Sequence, residues 1–469
     1  MSERDPLRTL AGLGGRGWLV GGAVRDRMLG RRTADFDVAV EGDPAPLARE
    51  LARRAEGHAF ELSERFGVWR VVARDRSWQL DLLPLGGDSL EDDLAKRDLT
   101  INAIAEPLGG GEPVDPFGGI RDLREGTLRL VSPGAFERDP LRTLRLARLA
   151  CELGFELDAE TAAPATRSAP GLREVAPERI FAELKRLIAS ERAVSGIALM
   201  DELGITRVVL PELSELHGIE QSRFHHLDVH AHTVEVLAAA IELEHDPGAA
   251  FGENAEALDR FMHQPFANEL TRWQALRFGA LLHDIAKPQT RGVTPEGRVT
   301  FIGHDAAGSD TARVVLRRLR ASERLAEHVA ALARHHLHLG FLVHEMPLSR
   351  RSVYRYLRRC EPVPVDVTVL SVADRLATRG DRSEQAIAKH LELARGMLGE
   401  ALRWQAEPPR PPLRGDELAN ELGIGAGPEI GRLLAALEEA SFAGELGTRQ
   451  DAVELARGLL EEGSIGSRP

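Results

Sequence analysis

"WLVGGAVRDRMLGRRTADFDVAVEGD", residues 18–43, decides what the first third of this chain is. A short apolar run ends in Gly21-Gly22, and a helical pattern follows. Glycines at a strand-to-helix junction let phosphate oxygens approach the backbone, where the N–H groups of the first helical turn attract negative charge. Arg25 stands one turn into that helix, placed to meet the same phosphates. A plain packing turn uses the same glycines, and neither the Rossmann nor the P-loop fingerprint is present. Further along, Phe36, Val38 and Val40 alternate with Asp35 and Asp37, the pattern of a strand. Residues i and i+2 of a strand project to one side, so the two carboxylates converge. Beside a phosphate-binding turn they repel unless a cation joins them, and Mg²⁺ is the ordinary all-oxygen solution. Two such ions suit in-line attack of a ribose hydroxyl on an α-phosphate with departure of pyrophosphate. Asp81, between apolar residues in "WQLDLLP" (78–84), is the candidate third carboxylate.

Around this stretch, "GWLV", "FDVAV", "VWRVVA", "WQLDLL" and "LRLV" read as brief strands among short helices, an α/β or α+β unit over residues 17–130. In "EDDLAKRDLTINAIA" (91–105), Arg97 suits a triphosphate and Asn102 a sugar hydroxyl or a supporting place in the turn. Arg97 is equally readable as a solvated helix charge with Asp98 as its partner. "VDPFGGIRDLREG" (114–126) reads as a structural, turn-rich link.

From about residue 136 the strand signal almost vanishes. "FERDPLRTLRLARLACELGF" (136–155) and the segment from Pro177 to Gly204 are amphipathic helices. Arg138, Arg142, Arg145 and Arg148 recur at helical spacing as a basic stripe suited to phosphates, with Arg179, Lys185 and Arg186 beyond it. Residues 201–400 stay helical and become rich in histidine; "AEPPRPPLRGDE" (406–417) breaks the pattern before a small terminal helical module. The four expected divisions are 1–135, 136–200, 201–400 and 401–469, with no fixed-period repeat.

His232, the adjacent His283-Asp284 and Asp374 come from separated helices and can converge on one divalent ion. His283 and Asp284 should then lie at a helix edge facing it. His304, His335 and His336 extend this set towards a second metal or a phosphate, while His58 and His217 read as ordinary.

The chain has 469 residues, a net charge of −13, 43% apolar and 28% charged residues. Its acidic balance excludes a protein that coats nucleic acid by global charge, but leaves room for a local basic surface. Only Cys151 and Cys360 are present, so the expected setting is a reducing cytoplasm without a disulfide framework. No run approaches the roughly 18 apolar residues of a membrane span, and the start has no apolar signal segment.

As an ordered set, "LVGGAVRDRMLG", "DFDVAVEGD", "LEDDLAKRDLTINAIA", "DPFGGIRDL" and "FERDPLRTLRLARLACELGF" resemble the bacterial class of tRNA nucleotidyltransferases and their poly(A) polymerase relatives, a branch of the polymerase-beta superfamily. "HHLDVHAHTVEV", "LLHDIAKP" and "FIGHD" resemble the HD domain that many bacterial members carry, whose metal-bound water attacks phosphoesters. The resemblance implies an α+β, polymerase-beta-like head followed by a helical neck, an HD domain and a helical C-terminal module. It implies Mg²⁺-dependent, template-independent addition of CTP and ATP to the 3′ end of tRNA, with contacts to the acceptor stem. By the same resemblance Gly21, Gly22 and Arg25 form the phosphate turn, and Asp35 and Asp37 bind metal. Arg97, Asp98 and Asn102 serve ribose and triphosphate, and Asp139 with Arg142 reads the incoming base.

Two departures stand out. Arg138 occupies the position where the family usually has an acidic residue, with Glu137 before it. The crossing "PLGGDS" (84–89) leaves little material for the flexible loop that full CCA-adding members place there, which puts the A step in question and points to CC addition. A poly(A) polymerase is the near alternative, although the acidic-to-neutral C-terminal end lacks a basic RNA-binding extension. A phosphohydrolase with a nucleotide-sensing or RNA-binding head is the alternative of another class.

Overall fold

A computed structural model describes residues 5–14, 16–64, 66–221, 227–379 and 383–465. The chain forms two compact units, 1–209 and 210–469. The division falls between the expected boundary at 200/201 and the start of the histidine-rich helices.

The first unit opens with a mixed six-stranded sheet: β1 (Gly17–Val20), β2 (Asp35–Val40), β3 (His58–Ser63), β4 (Val68–Val72), β5 (Gln79–Pro84) and β6 (Ala105–Pro107), in the order β3-β4-β5-β2-β1-β6. Only β2 and β5 run parallel, with Asp37 opposite Asp81. Apolar alternation is not complete in β2: Val38, Ala39 and Val40 are all buried because both faces of the sheet are covered there. Asp43 caps the Pro44–Arg54 helix through the Ala45 N–H, and that helix lies on β3, β4 and β5. On the carboxylate side, the Leu90–Leu94 helix packs Leu90 and Leu94 against Val20 and Ala39. Asp35, Asp37 and Ala39 therefore share one face, with polar residues at its open end and apolar packing at the other.

The Leu141–Leu153 and Pro177–Ala189 helices follow, packed together through Leu144, Leu184 and Leu187 among other buried residues. Beyond residue 136 the described strands are only two or three residues long. Thr127–Leu128 pairs in parallel with Glu156–Leu157, and two short antiparallel pairs occur in the second unit. Segments of two or three residues are too short for alternation to register. The sequence reading also passed over β3, an edge strand whose Phe60 and Leu62 face solvent.

The second unit is helical. Asp228 caps Val229–His245 through the Ala231 N–H, and a Thr271/Gln274 capping box opens Arg272–Leu282. With Pro364–Ala377 these helices pack around one centre that includes the fully buried Trp273 and Phe278. The terminal module has its own core of Leu418, Leu433, Leu437 and Val453. It meets the Arg350–Arg359 and Ser383–Ala406 helices through the Tyr354, Trp404 and Phe442 rings. No helix among the described residues is long and apolar enough to cross a membrane.

Candidate active sites

In the first unit, β1 ends at Val20 and Gly21 turns the chain into the Gly22–Met28 helix. Gly21 has φ +74°, a conformation that favours glycine. A Cβ there would come within 2.9 Å of Arg97 Nη1 and 3.4 Å of Asp37 Oδ2. The turn, the strand carboxylate and the guanidinium thus meet at one point. Asp93 accepts from Arg97 Nη2 at 3.0 Å, so Arg97 is paired with Asp93 and not with Asp98.

Asp35 and Asp37 are solvent-exposed as residues, but the Asp37 carboxyl lies low against Gly21 and Arg97. Desolvation there holds its pKa above the usual range, and the charges of Asp81 and Asp35 add to this against the pull of Arg97. Asp81 lies on the neighbouring strand, where Arg70 holds it through two 2.7 Å hydrogen bonds. An all-carboxylate, mutually repelling group of this kind has the donor set of a Mg²⁺ site.

Arg25 points elsewhere than its place in the helix suggests. It is buried, donating to Asn102 Oδ1 at 2.7 Å and to Asp26 at 2.9 Å. Asn102 in turn donates to Asp98 Oδ1 at 2.9 Å, and Asp98 Oδ2 accepts from Arg145 at 3.2 Å. Burial raises the Asp98 pKa, but Arg145 and the hydrogen bonds from Asn102 and the Leu99 N–H outweigh it and hold the group below its ordinary value. Arg145 continues to Glu183 Oε1 at 3.1 Å, and Glu183 also accepts from the buried Arg148. Glu152 accepts from Arg148 and from Arg186.

This lattice corrects the basic stripe expected from helical spacing. Arg145 and Arg148 are each paired with carboxylates, Arg148 in a buried position, so these guanidiniums do not form a bare basic surface. Arg138 bonds Ser132 Oγ at 2.8 Å. Asp139 and Arg142, three apart in the chain, do not share a helical face. Asp139 is extended, at φ −149° and ψ 96°, between the Ala135–Arg138 helix and the one that starts at Leu141. Asp139 accepts from Arg179 Nη2 at 2.8 Å, whereas Arg142 donates to the Ala135 and Lys96 carbonyls at 3.1 and 2.9 Å. Pro140 interrupts the helix between them, which periodicity alone did not register.

The crossing after β5 is tight. Gly86 N–H bonds Asp93 at 3.0 Å, and Ser89 caps the Leu90–Leu94 helix through the Asp92 N–H at 3.1 Å. Arg70, Asp93 and Glu183 were missed by the sequence reading. Arg70 and Glu183 nonetheless carried a signal, each a charge set among apolar residues in "VWRVV" and "IFAELKRL".

In the second unit, His283 caps the end of the Arg272–Leu282 helix with Asp284 next to it, where a helix edge is expected. Asp284 Oδ2 lies 3.1 Å from His283 Nε2, 3.8 Å from His232 Nε2 and 2.6 Å from Lys287 Nζ. Its Oδ1 lies 3.3 Å from His304 Nε2 and 3.7 Å from His336 Nε2. Asp374 Oδ1 is 3.0 Å from His232 Nε2. Asp284 thus joins two histidine groups, one at each oxygen. In His283, His304 and His336 the Nδ1 bonds a backbone carbonyl at 2.9, 2.6 and 2.8 Å. A carbonyl only accepts, so Nδ1 carries the proton and Nε2 presents its lone pair, the tautomer a metal ligand needs. His283 Nε2 and Asp284 Oδ1 are buried without a well-formed hydrogen bond. His232, His283, Asp284, His304, His336 and Asp374 would hold divalent cations of borderline character, which would supply a metal-bound water.

Burial and the adjacent His283 leave His336 with a pKa of about 4. His335 does not join this group; it faces His338 and Cys360. His225 and His226, in the quoted histidine stretch, lie outside the described residues. Lys287, Arg375 and Lys389 line the cavity over the site with Phe301 and Phe341.

Family models match the chain as a poly(A) polymerase head domain over 17–83 and 85–129, a probable RNA and SrmB binding site of polymerase A over 154–216, and an HD domain over 229–379. An A-adding tRNA nucleotidyltransferase of Deinococcus radiodurans is 37% identical, over 95% of each chain. A CC-adding tRNA nucleotidyltransferase of Thermus thermophilus is also 37% identical, over 92% of this chain and 91% of that one. A multifunctional CCA protein of Xanthomonas campestris pv. campestris is 31% identical, over 92% and 99%. Among solved structures, the Thermotoga maritima CCA-adding enzyme complexed with tRNA shares the fold at TM-score 0.62 and 19% identity, covering 97% of this chain and 94% of that one.

Proposed function

The chain belongs to the bacterial-type tRNA nucleotidyltransferases built from a poly(A) polymerase head and an HD domain, and on that footing we propose that it extends the 3′ end of tRNA with CTP as donor, releasing pyrophosphate. The observation that carries this reading is the meeting of Asp37 and Arg97 at the Gly21 turn, with Asp35 two positions before Asp37 on the same strand. Magnesium held by Asp35 and Asp37, with Asp81 beside them, would activate the terminal hydroxyl and neutralise the triphosphate. Arg97, steadied by Asp93, faces the triphosphate across Gly21. Arg25, Asn102 and Asp98 hold the floor of the ribose site, and Arg145 ties that floor to the helix beginning at Leu141. Asp139, oriented by Arg179, accepts from the exocyclic amine of the incoming base, while the Ala135 and Lys96 carbonyls hold Arg142.

The compact crossing from Leu85 to Ser89 supports a specialist in one base over an enzyme that switches from C to A. CC addition is the reading this favours. An A-adding and a CC-adding relative are both 37% identical to this chain, and a single-base specialist agrees with either. The experiment is incubation with tRNA ending before CCA, and with tRNA ending in CC, using CTP, ATP and both, read at single-nucleotide resolution. Two cytidines and no adenosine is the expected product. One adenosine on the CC-ended tRNA alone would replace it with the A-adding reading, long adenosine tails on generic RNA with a poly(A) polymerase, and no transfer with a hydrolase bearing a sensing head.

For the second unit we propose metal-dependent hydrolysis of a phosphoester. Divalent cations there would supply a nucleophilic hydroxide at neutral pH, while Lys287, Arg375 and Lys389 attract the phosphate. Asp284→Asn should remove this hydrolysis and keep tRNA extension; retained hydrolysis would refute the assignment.

A further inference from the structure

His335 Nδ1 and His338 Nδ1 face one another at 3.3 Å, and Cys360 Sγ lies 4.0 Å from His338 Nδ1. From this cluster we infer a separate thiolate–imidazole site for zinc, formed by His335, His338 and Cys360. The three come from different places: the end of the Glu323–His335 helix, the start of His338–Leu342 and the residue that closes Arg350–Arg359. Their ligand atoms all lie within 4.8 Å of one another.

The spacing matches the ion. Tetrahedral zinc with Zn–N of about 2.0–2.1 Å and Zn–S of about 2.3 Å separates two nitrogens by about 3.3–3.4 Å, and nitrogen from sulfur by about 3.5–3.6 Å. The two nitrogens already stand at that distance, and the sulfur, 4.0 Å from His338 Nδ1, would have to move closer. Two imidazoles and a thiolate are a borderline-to-soft donor set, unlike the carboxylates of the first unit. Cys360 is fully buried and the histidines half-buried, so the thiol forms the floor and the imidazoles the accessible mouth. The negative charge of Asp305 acts on both imidazoles. Arg334 and Arg359 add positive charge nearby, and Asp305 offsets part of it through its 3.5 Å pairing with Arg334. On binding, the thiol proton passes to solvent as the Zn–S bond forms. Such an ion would pin the chain on either side of His336, whose Nε2 faces Asp284.

The same nitrogen separation serves a hydrogen bond between neutral imidazoles, so the test must see the sulfur. The full-length protein is stripped with chelator, loaded with Co²⁺ and examined for the near-ultraviolet thiolate-to-cobalt charge-transfer band. Zinc content is measured in parallel. The band should be present in the native protein and absent in Cys360→Ser, with one zinc fewer per chain. His338→Gln, at a half-exposed position, should weaken or remove it if Cys360→Ser folds poorly. Absence of the band from the native protein, or its survival in both variants, overturns the site.

Discussion

Arg25 and Asn102, 77 positions apart in the chain, are joined by a 2.7 Å hydrogen bond beneath the Gly21 turn. The bond fixes the amide so that its nitrogen donates to Asp98 and its oxygen accepts from Arg25. Arg25→Lys keeps a positive charge but loses the planar fork that serves Asn102 and Asp26 together. Nucleotide transfer should fall about tenfold to a hundredfold in kcat, the scale of one lost positioning group, with KM for CTP changed less. A variant with native kcat would show that the buried guanidinium only supports the fold.

Asp37 carries the opposite balance, favouring chemistry over stability. A carboxyl whose pKa is raised by folding stabilises the protein below its unfolded pKa, and that contribution is lost as pH rises through the folded value. Asp37→Asn removes the ionising group, so at neutral pH the variant should melt slightly above the native protein while incorporation of CTP is abolished. Calorimetry at pH 7 checks the first and primer extension the second. Near-native incorporation in Mg²⁺ would remove Asp37 from the reaction.

Glu183 works in the other direction. Burial raises its pKa, but Arg148 and Arg145 overcome this and lower it. A depressed carboxyl stabilises above its unfolded pKa, and the contribution disappears as pH falls through the folded value. Asp98 has the same sign. The first unit should therefore loosen in acid, below the ordinary carboxylate range. Glu183→Gln leaves the buried Arg148 short of charge compensation and should cost roughly 3 kcal/mol or more. The difference from the native protein should shrink as pH falls through the acid range; a pH-independent difference would mean that packing, and not charge, is what Glu183 supplies.

Asp139 and Arg179 form a pair whose halves separate two roles. Asp139→Ala removes the acceptor for the exocyclic amine, and one mismatched recognition pair is worth roughly 1 to 3 kcal/mol, so discrimination against UTP should drop about tenfold to a hundredfold. Arg179→Ala leaves that acceptor in place but unfixed, and should lower the rate more than the selectivity. Competition between CTP and UTP on one tRNA reads both, and unchanged selectivity in Asp139→Ala would remove the base-reading role.

The sequence by itself determined the features that are local in the chain. The glycine turn before a helix, two carboxylates at alternate positions of a strand, and the adjacency of His283 to Asp284 are set over a few residues. Together with the ordered motifs, they were enough to reach the family and the fold class. Tertiary structure alone decided which charge meets which. The arginines from Arg138 to Arg148 have helical spacing suited to a phosphate surface, yet Glu183, about ten turns of chain away by sequence and adjacent in space, draws Arg145 and Arg148 inward. Pro140 turns Asp139 off the helix and towards Arg179. His335 and His336, neighbours in sequence, face different partners because successive positions on a helix diverge by roughly 100°. Periodicity states which face a side chain takes; the partner on that face is chosen by segments far along the chain, and only folding brings them together.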